Sequence, residues 1–310
     1  MSCALWLKHL GFSPVLIERG TALGGQLLEI NRINRWILGI PGRTGPALAE
    51  LYSRHVLDEA IEVRLGARLV SVMAEDFGFS LVVREGENCT ASLVAQALVI
   101  ATGLRVNSSD ILGLIPGALP LYESGLLSFF PLDHLESMEA LEGKRVAVIG
   151  GGDNAHFTAR DLASRAAFTH LLIRSRPRAQ AVVRQEVEAL IRQGRVLEHS
   201  GARITGFHQG SGGIAVPLAR NDSDTEQIEV DRIFARTGFA PNTEFLAGLG
   251  HLAGLERNHD GYVRVDAWKR ASLSFVYAIG DVANPAYPSV VAAVADGAVA
   301  AQAIARDVRV

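Results

Sequence analysis

One stretch of the sequence limits the fold more than any other: an apolar run directly followed by a glycine-rich turn. The unit begins at Lys144-Arg145, residues 146–149 form the apolar run, and Gly150-Gly151-Gly152-Asp153-Asn154-Ala155 follows it. The first glycine permits a tight turn, the second lets a pyrophosphate approach the backbone, and the alanine lets a helix pack closely on the strand. The pattern predicts a strand–turn–helix unit that binds a dinucleotide at the N-terminus of the helix. Its candidate binding residues are Gly150, Gly152, Asp153, Asn154 and Ala155.

The end of the next predicted strand indicates which dinucleotide is bound. An acidic residue there would bind a ribose 2′-hydroxyl and favour NAD. This chain instead has the run Arg174-Ser175-Arg176-Pro177-Arg178. Guanidinium groups form charge-assisted, often bidentate bonds with phosphate, so Arg174 and Arg176 predict NADP. The alternative is a basic turn that only meets solvent.

The beginning of the chain resembles the second half of a similar unit. Residues 2–10 have the apolar spacing of a helix that ends at Gly11, and Val15-Leu16-Ile17 is typical of a buried strand, here ending in Glu18. Glu18 is placed to bind a ribose, and Gly24-Gly25-Gln26 forms the turn after it. The first half of the unit, a strand and its glycine turn, is absent from the sequence.

Two further apolar runs end in polar residues. Residues 97–101 end in Thr102-Gly103, and residues 275–279 end in Gly280-Asp281. Ligands of open α/β sheets bind at the carboxyl ends of the strands. Asp281 is therefore placed to accept hydrogen bonds from a polyol such as a ribityl chain; the alternative is that it only caps a turn. The helix that begins near Ser289-Val290 directs its N-terminal amides toward the same region.

Composition excludes several classes of protein. The chain has 310 residues, a length typical of two domains, and its net charge of -3 offers no basic excess for nucleic acid. No apolar run is long enough for a membrane span, and no signal peptide is visible, so we expect a cytoplasmic protein. The two cysteines, Cys3 and Cys89, form no CxxC pair, and the nine histidines form no metal-binding pattern.

Together these motifs, with Thr237-Gly238-Phe239-Ala240-Pro241-Asn242, resemble the thioredoxin-reductase-like branch of the two-dinucleotide flavoproteins. The resemblance implies an α/β fold with two Rossmann-like domains and the cofactors FAD and NADP, usually in a homodimer. The NADPH domain, residues 111–240, would be inserted into an FAD domain formed by residues 1–110 and 241–310. The segments 104–120 and 237–243 would be hinges. The resemblance assigns FAD contacts to Glu18, Gly25, Gln26, Thr102, Gly103, Gly280, Asp281 and Val290.

Two departures from the family pattern affect the expected function. The first glycine motif is missing; we expect the natural start to lie upstream of Met1, because a sheet without its central strand leaves backbone groups unpaired. The family's CxxC is also absent from Tyr122–His134, so no dithiol can relay electrons. The chain is closer to ferredoxin–NADP reductases of this scaffold, which implies ferredoxin, flavodoxin or a small molecule as electron acceptor. The alternatives are a biosynthetic small-molecule reductase and a flavin-free NADPH-binding regulatory protein.

Overall fold

The computed structural model describes residues 1–86, 89–129, 139–165, 168–220 and 225–308. The chain divides into two units, one formed by Met1–Arg105 with Ala240–Val310 and the other by Val106–Phe239. His134 and much of the stretch Tyr122–His134, where the sequence has no CxxC, lie outside the described residues, within 130–138.

The first unit combines short parallel strand pairs with an antiparallel sheet. Its helices are α1 (Ser2–His9), α2 (Gly45–Asp58) and α7 (Val290–Asp307). Short 3-10 helices cover Gly25–Glu29, Glu244–Gly248, Gly250–Gly254 and Gly280–Ala283. Its strands are β1 (Val15–Ile17), β2 (Ile33–Asn34), β3 (Arg43–Thr44), β4 (Glu62–Arg64), β5 (Ala67–Glu75), β6 (Gly78–Glu85), β7 (Cys89–Ala95), β8 (Leu98–Ile100) and β20 (Val276–Ala278).

The parallel strands of this unit form two separate pairs. Strand β1 pairs with β4, β8 pairs with β20, and β5, β6 and β7 form the antiparallel sheet. Helix α1 packs against both pairs, because Cys3 and Leu7 contact the cluster around Tyr277, while Ala4 lies in the cluster around Ile61. One helix thus covers two strand pairs that share no hydrogen bonds in the described residues.

The second unit is built on a parallel sheet. Its helices are α3 (Ser109–Leu112), α4 (Ala118–Glu123), α5 (Asp153–Arg165) and α6 (Ala181–Arg192), with a 3-10 helix at Glu139–Leu141. Its strands are β10 (Leu127–Ser128), β11 (Arg145–Ile149), β12 (Phe168–Ile173), β13 (Val196–Ser200), β14 (Arg203–Ile204), β15 (His208–Gly210), β16 (Gly213–Ala219), β17 (Thr225–Val230) and β18 (Arg232–Ala235).

The parallel sheet has the strand order β10-β18-β11-β12-β13 and is buried on both faces. Val146 and Val148 of β11 pack in one cluster with Ala155 of α5, and Ala147 packs in another with Val216 of β16. Strand β16 is the centre of the antiparallel sheet and pairs with β14, β15 and β17. Burial on both faces explains why β11 is continuously apolar.

The segment after Thr102-Gly103 is more ordered than its composition suggests. Its Gly, Pro, Ser and Asn residues favour a linker over residues 104–120, but the structure shows β9 (Leu104–Val106), α3 and the start of α4 there. Ile111 and Ala118 are buried in the core of the second unit. Strand β9 pairs with β19 (Phe239–Pro241). The linker prediction was wrong for most of this segment.

No helix in the described part of the chain combines the length and the apolar character that a bilayer crossing requires.

Helices α1 and α7 lie close together at Gly297. A Cβ added there would lie 2.6 Å from the backbone nitrogen of Cys3 and 2.8 Å from the Ser2 side chain. We expect Gly297→Ala to lower the free energy of unfolding by about 1–3 kcal/mol, because the backbones must separate. Denaturant unfolding followed by circular dichroism measures this change.

The matched control is Ala295→Val on the exposed face of the same helix. It should lower the free energy of unfolding by less than about 0.7 kcal/mol, the range of helix propensity. A stabilised Gly297→Ala protein would show that the helices do not pack closely at this position.

Candidate functional site

The glycine turn of the second unit connects β11 to α5. Gly150 has φ +139°, and a Cβ there would lie 2.3 Å from the Arg236 carbonyl oxygen, so only glycine fits. Gly152 faces open space, and Ala155 is fully buried at the start of α5. Space in front of Gly152 and close packing behind Ala155 are what a dinucleotide pyrophosphate needs at a helix N-terminus.

The polar residues of this turn are held by neighbouring groups. The Asp153 carboxylate accepts hydrogen bonds from the Gln180 backbone N–H (2.7 Å) and side-chain amide (2.8 Å). The buried His156 ring places Nδ1 3.0 Å from the Gly152 carbonyl oxygen. Asp153 thus fixes the turn against the start of α6, a contact that the sequence motif does not reveal. Asn154 lies in the first turn of α5 beside Asp153.

The arginine run lies directly beside the glycine turn. The Arg178 backbone N–H donates to the Gly151 carbonyl oxygen (2.6 Å), and a Cβ on Gly151 would lie 3.2 Å from the Arg176 carbonyl oxygen. The side chains of Arg174, Arg176 and Arg178 are exposed. None of the three has an acidic partner within the part of the chain that the structure describes. The structure therefore brings three available guanidinium groups to the turn.

In the first unit, two candidate pairs lie at the carboxyl ends of adjacent parallel strands. Thr102 and Gly103 follow β8, and Gly280 and Asp281 follow β20; the Ile279 backbone N–H donates to the Ile100 carbonyl oxygen (3.0 Å). Asn242 holds Thr102 by two hydrogen bonds. The Asn242 side-chain amide donates to the Thr102 carbonyl oxygen (2.9 Å), and the Thr102 hydroxyl donates to the Asn242 backbone carbonyl oxygen (2.7 Å).

Gln26 reaches the same edge of the sheet. Its side-chain amide donates to the Leu104 carbonyl oxygen (3.0 Å), and Gly25 starts the 3-10 helix with φ +52°. Glu18 lies at the end of β1 in the other strand pair, where one carboxylate oxygen accepts a hydrogen bond from the Gly20 backbone N–H (2.7 Å). One edge thus holds five of the candidate residues, which are Gln26, Thr102, Gly103, Gly280 and Asp281. Glu18 lies at the end of the other strand pair, β1 and β4.

Asp281 has the least satisfied polar group of this edge. Its Oδ1 atom is buried and has no hydrogen-bond partner among the described residues. Burial raises the pKa of the Asp281 carboxyl, the nearby Asp296 charge raises it further, and the Ser289 backbone N–H partly reverses the rise. Val290 follows Ser289 as the first residue of α7. An acceptor oxygen without a partner can receive a hydroxyl donor, as the polyol contact expected at Asp281 requires.

Two residues near Asp281 were not anticipated from the sequence. Asp296 and Lys269 form a largely buried ion pair of 2.7 Å, and Asp296 accepts the Gly280 backbone N–H (3.1 Å). The sequence signal that could have pointed to Asp296 is its charge: the other fifteen of the first sixteen residues of α7 are uncharged. Among the described residues, no group of three or more His, Cys, Asp or Glu side chains could hold a metal ion.

The orphaned Asp281 oxygen predicts opposite effects on stability and binding. A carboxyl with a raised pKa in the folded chain stabilises folding fully below its unfolded pKa, and this stabilisation is lost as the pH rises through the folded pKa. At pH 7 the Asp281→Ala apoprotein should therefore melt no lower than the original. Its dissociation constant for FAD should rise about tenfold or more, because a charge-assisted hydrogen bond is lost. Thermal melts and flavin fluorescence titration measure the two effects.

Asp76→Ala, in the exposed turn between β5 and β6, is the control and should change neither quantity. Unchanged FAD binding by Asp281→Ala would contradict the assignment of Asp281 to the ribityl chain.

Known proteins resemble the chain along nearly all its length. It is 32% identical over 277 residues to the F subunit of alkyl hydroperoxide reductase from Pseudomonas aeruginosa, covering 89% of this chain and 50% of that protein. It is 28% identical to glucosaminate ammonia-lyase of Pseudomonas fluorescens, covering 97% and 89% of the two chains. Thioredoxin reductase of Coxiella burnetii is 26% identical, with coverage of 97% and 90%. The chain thus spans about half the length of the first of these relatives.

Solved structures show the same fold. Thioredoxin reductase of T. acidophilum superposes with a TM-score of 0.83 at 24% identity, covering 99% of this chain and 94% of that one. Bacillithiol disulfide reductase of Bacillus cereus gives 0.76 at 20% identity, covering 98% and 95%. The α/β fold with two dinucleotide-binding domains, predicted from the sequence, is confirmed.

Residues 1–297 match the pyridine nucleotide-disulphide oxidoreductase family, whose thioredoxin-reductase-like enzymes use FAD and NAD(P)H. These are the cofactors expected from the glycine turn and from Asp281. The match covers far more than half of the chain, so the chain belongs to the pyridine nucleotide-disulphide oxidoreductase family, in its thioredoxin-reductase-like branch.

Proposed function

We propose that the chain is an FAD-dependent oxidoreductase that takes hydride from NADPH and passes electrons to an acceptor without a dithiol of its own. The observation that carries the choice of NADPH is the set of three exposed guanidinium groups beside the glycine turn. Arg174, Arg176 and Arg178 have no acidic partner in the described residues, and no acid ends strand β12. The 2′-phosphate of NADPH supplies the negatively charged partner that these three side chains lack in the described residues.

The proposed roles of the other residues follow from their positions. Gly150, Gly152 and Ala155 let the N-terminus of α5 hold a pyrophosphate, and Asp153 fixes the turn through Gln180. Asp281 holds a ribityl hydroxyl, Glu18 a ribose, and the N-terminal amides of α7 at Val290 face the flavin. The bound flavin and nicotinamide supply the hydride chemistry, so no side chain of this protein has to act as an acid or base in that step.

The two cysteines support an acceptor that receives electrons without disulfide exchange. Cys3 is buried, and burial raises the pKa of its thiol to about 11, so it is protonated at neutral pH. Cys89 is exposed and is separated from Cys3 by 85 residues of sequence without another cysteine. We propose ferredoxin or flavodoxin as the acceptor and a homodimer in the cytoplasm as the working form.

A small-molecule acceptor is the second candidate. The observation that favours it is the similarity to glucosaminate ammonia-lyase, which extends over 97% of this chain and 89% of that relative. A flavin-free NADPH-binding protein is the third. A purified protein without flavin absorbance that does not take up added FAD would support it and reject the other two.

The coenzyme choice predicts an unequal effect of arginine removal. Arg174→Ala and Arg176→Ala should each raise the KM for NADPH about tenfold or more and change the KM for NADH little, because only NADPH has the 2′-phosphate. Steady-state kinetics with both coenzymes and an artificial acceptor measure the ratio. Arg192→Ala, an exposed arginine at the end of α6, is the control. Equal losses with NADPH and NADH would contradict the assignment.

The acceptor proposal predicts turnover without any thiol. Cys3→Ala with Cys89→Ser should retain the rates of NADPH-dependent reduction of ferredoxin, flavodoxin, a quinone and O₂ seen in the unsubstituted protein. A melt of the double variant checks its fold, because Cys3 is a buried core residue. Loss of turnover in a folded double variant would show that a cysteine carries electrons. Turnover with a small molecule but with neither protein acceptor would favour the second candidate.

A further inference from the structure

The turn that carries Asp281 is held by a side chain from a distant part of the sequence. Asp296 lies in the second turn of α7, and its side chain is 10% exposed. One carboxylate oxygen accepts the Gly280 backbone N–H (3.1 Å), and the other lies 2.7 Å from Nζ of Lys269. Gly280 has φ +68°, a left-handed conformation that glycine adopts without steric cost. The bond from Asp296 fixes the residue immediately before Asp281.

The position of Lys269 is defined in turn by its backbone conformation and by a backbone hydrogen bond. Its φ is +66°, in the left-handed region where residues with a Cβ are uncommon. The Lys269 carbonyl oxygen accepts the Ala278 backbone N–H (3.1 Å), which ties the residue to strand β20. The ammonium group of this lysine lies 2.7 Å from the Asp296 carboxylate, so the same residue contacts both β20 and α7.

We propose that Asp296 and Lys269 are positioning residues, which hold the Gly280–Asp281 turn so that Asp281 presents its free oxygen to a polyol hydroxyl of the flavin coenzyme. This inference rests on the proposed binding of FAD. Among the described residues, Oδ1 of Asp281 has no hydrogen-bond partner, and the Gly280 N–H donates to Asp296 rather than to Asp281. The ion pair with Lys269 holds the Asp296 carboxylate in the position from which it accepts the Gly280 N–H.

The same pair governs the charge around Asp281. Two titratable groups act on this carboxyl from neighbouring elements: Asp296 from α7 and Tyr262 from the loop bonded to Val282. Lys269, which lies before β20, pairs with Asp296. Asp296 raises the pKa of Asp281, and Lys269 offsets that charge. Removal of either charge should therefore move the protonation of Asp281, and the two removals should move it in opposite directions.

The test uses four variants and measures FAD release rather than turnover. Asp296→Asn keeps an acceptor for Gly280 but removes the negative charge, and Asp296→Ala removes both. Lys269→Met removes the positive charge, and the double variant Lys269→Met with Asp296→Asn removes both charges. Flavin fluorescence reports the FAD released from the holoprotein between about pH 4.5 and 8, and circular dichroism at each pH reports folding.

A direct hydrogen bond from a polyol to ionised Asp281 predicts release of FAD as the pH falls. Asp296→Asn should lower the midpoint of release by about half to one pH unit, and Lys269→Met should raise it by a similar amount. The double variant should lie between them. At pH 7.5, Asp296→Ala should weaken FAD binding about tenfold and Asp296→Asn less than about threefold, because only the alanine leaves Gly280 without an acceptor.

The exposed pair Glu50 and Arg54 on α2 provides the control. Glu50→Gln should leave both the affinity and the midpoint unchanged. If the folded variants bind FAD with the midpoint of the original protein, the inference is wrong and the proposed function stands. If the unsubstituted protein itself never binds FAD, the proposed function fails and this inference with it.

Discussion

The structure depends on one constraint: a parallel strand that is buried on both faces can meet a ligand only at its end. Strands β11 and β20 are covered on both sides, and their backbone groups bond to neighbouring strands. Polar contacts are therefore concentrated in the turns that follow, at Gly150 and at Gly280. Glycine occupies both positions, with φ +139° and +68°, because the chain must leave the sheet abruptly. The chemistry of each unit is determined by the few residues after these glycines.

The two turns are prepared for their ligands in different ways. At the turn after β11, charge is available at the surface, since the arginine side chains extend into solvent beside an open glycine. At the turn after β20, the Asp281 carboxylate is partly enclosed and has a raised pKa, and one of its oxygens has no partner in the part of the chain that the structure describes. An exposed cation costs the folded protein little, whereas an enclosed carboxylate destabilises the empty protein. Of these two turns, the turn after β20 is therefore the one that is destabilised when it is empty.

The sequence predicted the parts of the fold in which local pattern and tertiary environment agree. The unit β11–α5–β12 was recognised because its apolar run and glycine turn favour a single structure, and α1 ends beside Gly11, which has φ +89°, as expected. Residues 104–120 were mispredicted because they are rich in turn-forming residues. The short helices α3 and α4 bury too few residues, among them Ile111 and Leu121, to show a helical period in the sequence. The pairing of Lys269 with Asp296 joins residues 27 apart, and neither neighbourhood has a motif. The sites of the individual coenzyme contacts remain proposals.

The separation of the strand pairs β1–β4 and β8–β20 has a practical consequence. In the described residues, β1 and β8 each bond to a neighbour along one side only, and Val15 of β1 is exposed. Free N–H and C=O groups on a strand attract any other extended chain, including a second molecule that is partly unfolded. We therefore expect a high protein concentration, more than a high temperature, to cause this protein to aggregate.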